Sequence, residues 1–398
     1  MRKFYKITPE GTRDLLFEEC SELIRQQTKL NALFTRYGYR PVKTPDLEFY
    51  DVFSVDASGI AQEEMFKLTD TSGRLMVLRP DNTFPIARLV STSFQNEKRP
   101  LRISYSQSVH SVGNSLRGKS CQNYQSGIEL IGVSGKRADL EVITLALETM
   151  NSYQADYRFE IGHAQFFKAL IAELPIGEDM REDIRRIIEL KNYAELSEKL
   201  DALEQTQAVV ALKRLPRLFG GIEILDEAAQ LCNGLSCVSC LEYLREIYND
   251  LVALGYSDRV IIDLGLVHRN EYYTGVIFGC YINGTGDSVL SGGRYDNLLE
   301  QFGAHDAAIG FAVNVSAMTL FVLKESLLCG TRVDVLVAAI GGGNADVEAV
   351  RTVRKMTSLY PDKVITSESF ENKKQAQDYA LECSIAEIIF VLEGAENV

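Results

Sequence analysis

From Ala164 to about Tyr256 the chain repeats its apolar residues at helical spacing, with many Glu-Lys neighbours and breaks at Pro175, Pro216 and Gly220-Gly221. Strand-type sequence stands on both sides, at Tyr157 to Gly162 before it and Arg259 to Leu264 after it. We read the block as a helical insertion in a sheet-based domain.

The rest of the chain fits that frame. Thr8 to Asp14 is a polar, turn-forming opening, and Leu16, Cys20, Leu23, Ile24, Leu30, Leu33 and Phe34 mark a long amphipathic helix ending at Gly38. A short strand then runs into Pro45, where proline disfavours further pairing; this order of elements often makes a dimer edge. Met65 to Val77 reads as a hairpin turning at Ser72-Gly73, and Leu101 to Val109 and Gln122 to Gly132 as strands. Ala138 to Tyr153 is a helix by spacing, and Ala308 to Val315 an apolar strand before a helix from Met318. Beyond Cys329-Gly-Thr, a linker, the segments from Arg332 to Leu392 form a small βαβαβ unit. Its Gly341 to Gly343 turn lacks a GxGxxG or Walker pattern, so a plain strand-to-helix turn outweighs a phosphate cradle.

Charge and cysteine content narrow the function. With 42 basic against 55 acidic residues, and its densest basic clusters, Arg181 to Arg186 and Lys213 to Arg217, set among acids and apolar residues, the chain is a poor match for nucleic acid. Eight scattered cysteines indicate a reducing compartment rather than a disulfide framework. Cys232, Cys237 and Cys240 approach metal spacing without a second pair, so no metal is expected. The N-terminus has no apolar signal core, and no run approaches the ~18 residues of a membrane span. A soluble, cytoplasmic chain with no membrane contact is expected.

Three clusters carry recognition chemistry. Arg79, Asp81 and Thr83 lie at the exit of an apolar strand, where ligand contacts and helix caps are equally good uses of them. Gln125, Gly127 and Glu129 are spaced to share one strand face, an amide and a carboxylate suited to an ammonium or imidazole, or to solvent. In Leu266 to Phe278 the paired Tyr272 and Tyr273 would point to opposite faces of a strand, one into the core and one into a pocket. The two glycines before Arg294 permit a sharp turn or close approach to a ligand.

Taken together, Thr8-Pro-Glu-Gly-Thr-Arg-Asp14, Tyr37 to Glu48, Leu78-Arg-Pro-Asp-Asn-Thr83, Gln125 to Glu129, Glu271-Tyr-Tyr-Thr-Gly275 and Gly292-Gly-Arg-Tyr-Asp296 resemble, in order and spacing, the class II histidyl-tRNA synthetases and their paralogues. The resemblance implies an α+β fold: a class II aminoacyl-tRNA synthetase-like antiparallel sheet flanked by helices over residues 1–328, with the insertion at about 164–256 and a truncated anticodon-binding-like α/β domain at 331–398. It also implies that Asp81, Thr83, Gln125, Glu129, Tyr272 and Tyr273, with Tyr295 beside them, line a histidine pocket.

The chain departs from that family where ATP would be held. Ser111-Val-Gly113 stands for the motif 2 Arg-x-Glu, His268 takes the place of an arginine with Arg269 one residue out of register, and Asn314-Val-Ser-Ala317 replaces the motif 3 Gly-Leu-Glu-Arg. Each lost charge is worth about 3 kcal/mol or a hundredfold in rate, so losing three should abolish adenylation. The tail from Arg332 to Val398, with 7 basic and 11 acidic residues, is a poor tRNA binder. A synthetase-like chain that keeps an amino-acid site and loses catalysis resembles the regulatory subunits of ATP phosphoribosyltransferase. That likeness implies a non-catalytic role in histidine feedback without a cofactor, and a homodimeric core assembling with a short catalytic subunit into a hetero-octamer. The alternative is a synthetase forming histidyl-adenylate.

Overall fold

The computed structural model describes residues 4–54, 59–112, 120–267, 272–283, 285, 288–325 and 333–392. Helix α1 (Phe17–Arg36) buries Leu23, Leu30, Leu33 and Phe34 as one apolar stripe and stops before Gly38, whose φ of 83° suits a residue without a Cβ. Strands β1 (Arg40–Pro41) and β2 (Leu47–Phe49) follow, then the hairpin of β3 (Lys67–Thr69) and β4 (Leu75–Leu78) expected around Gly73. Next come α2 (Thr83–Thr92), β5 (Leu101–His110), β6 (Gln122–Ile131), α3 (Lys136–Asn151) and β7 (Tyr157–His163).

The interrupting block is helical as its periodicity predicts: α4 (Ala164–Ala172), α5 (Glu178–Glu189), α6 (Tyr193–Asp201) and α7 (Gln207–Arg214), then α8 (Glu223–Leu231) and α9 (Val238–Ala253). Between α7 and α8 the Gly220-Gly221 break does more than punctuate. It carries a two-residue strand, β8 (Phe219–Gly220), that pairs antiparallel with β9 (Val260–Asp263) and joins the block to the sheet. The larger unit ends with β10 (Val276–Ile282), β11 (Leu290–Arg294), β12 (Ala308–Asn314) and α10 (Val315–Glu325).

Nine strands form one sheet in the order β1-β5-β6-β12-β11-β10-β7-β9-β8, with a separate small sheet β2-β4-β3. Pairing is antiparallel except at β1-β5 and β7-β9. Alternation along each strand divides the core between the two faces. Ile128 and Leu130 of β6 and Phe278 of β10 pack with α1, α3 and the inserted helices, whereas Ile131 and Ile277 pack with α2 and the tyrosines.

Gly292 and Gly293 do not turn the chain; they lie within β11. A Cβ at Gly292 would come within 2.7 Å of the Phe278 ring, and one at Gly293 within 2.8 Å of the Tyr273 ring, so both glycines make room for aromatic neighbours rather than a ligand.

A second compact unit holds β13 (Val335–Ile340), α11 (Asn344–Leu359), β14 (Ile365–Phe370), α12 (Lys373–Glu382) and β15 (Glu387–Leu392). Its parallel sheet, ordered β14-β13-β15, buries Val335, Val337 and Ala339 on one face and Leu336 and Ala338 on the other. This is the βαβαβ unit read from the sequence. Gly341, Gly342 and Gly343 all have positive φ and make the strand-to-helix turn before α11. Among the described residues no helix is long and apolar enough to cross a membrane.

Candidate functional site

The seven residues singled out for the pocket come together around one cavity. Asp81, Thr83, Gln125, Glu129, Tyr272, Tyr273 and Tyr295 line an empty volume of about 460 Å³, open solvent at its mouth included. Tyr105, Ser291, Gly310, Phe311 and Ala312 complete the lining. Among the described lining residues there is no lysine or arginine; the wall consists of two carboxylates, four phenols, an amide and two hydroxyls.

Each group is placed by its strand or helix. Gln125 and Glu129 share a face of β6, with Gly127 between them, as their spacing predicts. Gly127 lies opposite Tyr105 of β5, and a Cβ there would meet the Tyr105 hydroxyl at 2.5 Å. Gly310 of β12 lies opposite Glu129, and a Cβ there would collide with Glu129 Oε2 at 1.8 Å. Only glycine at these two points lets the polar side chains lie across the sheet.

Asp81 serves α2 as a cap: its Oδ1 accepts from the backbone N–H of Thr83 at 2.7 Å and of Phe84 at 3.2 Å. Thr83 turns its hydroxyl to the cavity and donates to Glu129 Oε1 at 3.2 Å. The Tyr295 hydroxyl donates to Glu129 Oε2. Burial raises the Glu129 carboxyl to about 8; the Tyr295 bond opposes that rise, the nearby Asp81 carboxylate adds to it, and the Thr83 bond opposes it. Burial also pushes Asp81 up, and it holds Tyr105, Tyr272 and Tyr295 well above the usual phenol value. Near neutral pH the empty cavity therefore holds neutral phenols and a protonated Glu129. An incoming ammonium group would favour two ionised carboxylates.

The tyrosine pair behaves differently from a strand. The β10 ladder begins only at Val276, so no alternation constrains residues 272 and 273, and both rings face the same cavity. Their centroids are 4.7 Å apart, and Tyr272 meets the edges of Phe84 and Tyr295 at 5.6 Å each. Both tyrosines are buried, so the expected division of labour between core and pocket is replaced by one aromatic cluster doing both.

Arg79, grouped with Asp81 by sequence, does not line the cavity. It is fully buried, donating to the carbonyls of Ser108, Thr44 and Pro45 and pairing with Asp46 at 2.6 Å, so it fixes the turn before β2. Tyr105 was missed although Ile103, Tyr105 and Gln107 alternate as Gln125, Gly127 and Glu129 do, a signal the sequence contained. Ser291, Gly310, Phe311 and Ala312 gave no such signal, because only strand register brings them to Glu129 and Gln125.

Where ATP-binding motifs were expected to have decayed, Ser316 and Ala317 occupy the first turn of α10. Ser316 Oγ accepts from the Tyr124 N–H at 2.9 Å, and the Ala317 N–H donates to Asn314 Oδ1 at 3.0 Å, so this turn is used structurally. Ser111 donates its N–H to the Cys121 carbonyl at 3.0 Å. Gly113, His268, Arg269 and Glu271 lie outside the described residues. Cys232 and Cys237 are buried in the connection between α8 and α9 and Cys240 in the first turn of α9, and no group of three or more His, Cys, Asp or Glu among the described residues is arranged to hold a metal ion.

The large sheet flanked by helices, with its mixed α and β content, defines a class II aminoacyl-tRNA synthetase-like protein. The histidyl-tRNA synthetase family model matches residues 11–318. The ATP phosphoribosyltransferase regulatory subunit of Clostridium kluyveri is 40% identical over 80% of this chain and 82% of its own length. That of Clostridium acetobutylicum is 37% identical over 96% and 94%. A crystal structure from Bacillus halodurans C, described as an ATP phosphoribosyltransferase regulatory subunit/histidyl-tRNA synthetase, superposes with a TM-score of 0.84 at 29% identity, covering 99% of this chain and 100% of that one. The histidyl-tRNA synthetase of Nostoc sp. PCC 7120, at 19% identity, shares the fold with a TM-score of 0.74 over 95% and 90% of the two chains. The chain belongs to the family of ATP phosphoribosyltransferase regulatory subunits, a branch of the histidyl-tRNA synthetase-like proteins.

Proposed function

We propose that this chain is the non-catalytic regulatory subunit of ATP phosphoribosyltransferase and that its polar cavity takes free histidine. The observation that carries the reading is the cavity wall itself: Asp81, Thr83, Gln125, Glu129, Tyr272, Tyr273 and Tyr295 converge on one small space. Asp81 and Glu129 suit the α-ammonium, and the hydroxyls suit the imidazole. Substituting Asp81 for the glutamate of the synthetases leaves that carboxylate one methylene shorter. The motifs that would hold ATP are replaced at Ser316 and Ala317 by groups engaged in the backbone, which supports a site that recognises histidine without activating it.

In this reading the partner is a short catalytic subunit that transfers the phosphoribosyl group of phosphoribosyl pyrophosphate to ATP, a glycosyl transfer, and this chain is required for that activity and relays histidine feedback. The assembly is a cytoplasmic hetero-octamer around a homodimeric core, with no cofactor and no nucleic acid. Residues 1–328 form the synthetase-like domain, with its insertion at about 164–256, and 331–398 an anticodon-binding-like α/β domain. The test mixes the purified chain with a cognate short catalytic subunit, ATP and phosphoribosyl pyrophosphate. Product should form in the mixture, not with this chain alone, and should fall on adding histidine; an unaltered rate in the mixture overturns the reading.

A synthetase activity is the second reading, favoured by the family model over residues 11–318. Histidine-dependent exchange of pyrophosphate into ATP by the chain alone would establish it.

A further inference from the structure

Behind the cavity wall lies a chain of buried amides whose direction is fixed from one end. Thr44, Asn82 and Gln107 are 4%, 1% and 4% exposed. The Thr44 backbone N–H can only donate, and it donates to Gln107 Oε1 at 3.2 Å. Gln107 must then turn its Nε2 the other way, where it donates to Asn82 Oδ1 at 2.8 Å and to Thr44 Oγ1 at 3.0 Å. Asn82 in turn has its Nδ2 directed at Gln125 Oε1, 3.0 Å away. Reversing any one amide would oppose two NH₂ groups or two carbonyl oxygens in a buried place, so the three amides share a single sense.

We propose that Asn82 and Gln107 are positioning residues that lock the Gln125 amide with its NH₂ toward the cavity, and that this donor reads the carboxylate of the bound amino acid. The inference rests on the histidine reading of the cavity and deepens it. With Gln125 Oε1 engaged by Asn82, what the side chain offers a ligand is a donor. That donor complements a carboxylate, while Asp81 and Glu129 complement the ammonium group at the other end of the same α-carbon. The pocket would thus distinguish histidine from histidinol, which keeps the imidazole and the ammonium but replaces the carboxylate with an alcohol.

Titration calorimetry on the full chain with histidine and with histidinol tests this. The intact chain should prefer histidine by about tenfold or more, the worth of one hydrogen bond to a charged group. In N82D the carboxylate can accept but not donate, so Gln125 must turn its oxygen to the cavity; histidine affinity should fall about tenfold or more and histidinol affinity should hold within about threefold. Q107E should act the same way from one residue further off, because Asn82 must then reverse to donate to it. That remote reversal, with histidinol still bound, is what a merely structural role would not produce. Should N82D fail to fold, Q107E carries the test alone. Retained preference for histidine in either folded variant, or equal loss of both ligands, overturns the relay. Failure of the intact chain to bind either ligand overturns instead the histidine reading on which the relay rests.

Discussion

Two buried carboxylates, Asp139 and Glu129, sit on either side of one strand end and are treated in opposite ways. Arg294 and Tyr295 are consecutive residues leaving β11: the first sends its guanidinium to Asp139 at 2.7 Å, the second its hydroxyl to Glu129. Asp139, fully buried on α3, also accepts from Tyr243 of the inserted helices. Folding gives it a permanent cation. Glu129, 2% exposed, is given hydroxyls and a neighbouring acid. A carboxylate satisfied by the fold is structural. One given neutral donors on a cavity wall is, in the proposed reading, where a ligand's positive charge would be taken.

Breaking the first pair should have the largest effect. Arg294→Met leaves Asp139 buried without its cation, and urea unfolding should show a loss of about 3–5 kcal/mol. The corresponding change at the second site, Glu129→Gln, should not destabilise the chain at pH 7 and should stabilise it by up to about 3 kcal/mol, because folding there must protonate a carboxyl that is ionised in the unfolded chain. Histidine affinity should nevertheless fall by roughly ten- to a hundredfold in calorimetry. Equal destabilisation by the two substitutions would dissolve the contrast.

A smaller effect per unit pH sharpens it further. Glu129 is raised from 4.5 unfolded to about 8 folded, so the folded chain binds more protons between those values. Its contribution to stability is fully present below pH 4.5 and is lost as pH rises through about 8. Wild type should lose stability relative to Glu129→Gln by at most about 1.4 kcal/mol per pH unit across that window, read from paired urea titrations. A flat difference would mean that Glu129 is ionised in the empty pocket. The smallest change belongs to the surface: Lys363→Ala removes an exposed pair with Glu387, and thermal melts should move by no more than about 1 kcal/mol in equivalent stability.

The contrast also shows what a sequence can reveal of such a site. Period-2 spacing was enough to put Gln125 and Glu129 on one face, and helical spacing to mark the inserted block, because both are properties of one segment. Resemblance added Asp81, Thr83 and the tyrosines. What stayed hidden was set by pairing between segments: Gly310 opposite Glu129, Tyr105 opposite Gly127, and β8 joining the sheet beside β9. The tyrosine pair misled for a related reason. Alternation does not reach residues 272 and 273, because the ladder that enforces it starts at Val276. Arg79 misled through proximity, since neighbours in sequence at the start of a helix need not face the same space.

One consequence of the sheet order concerns time rather than energy. Glu129 rides on β6, which is hydrogen-bonded to β5 on one side and β12 on the other, and Gly310 rides on β12 between β6 and β11. No local fraying can open this floor; the backbone amides of 126–131 should exchange with solvent only when the whole sheet comes apart. A ligand can arrive and leave through the mouth many times within the life of a single folded molecule, and its seat will be the last part of the larger unit to forget its shape.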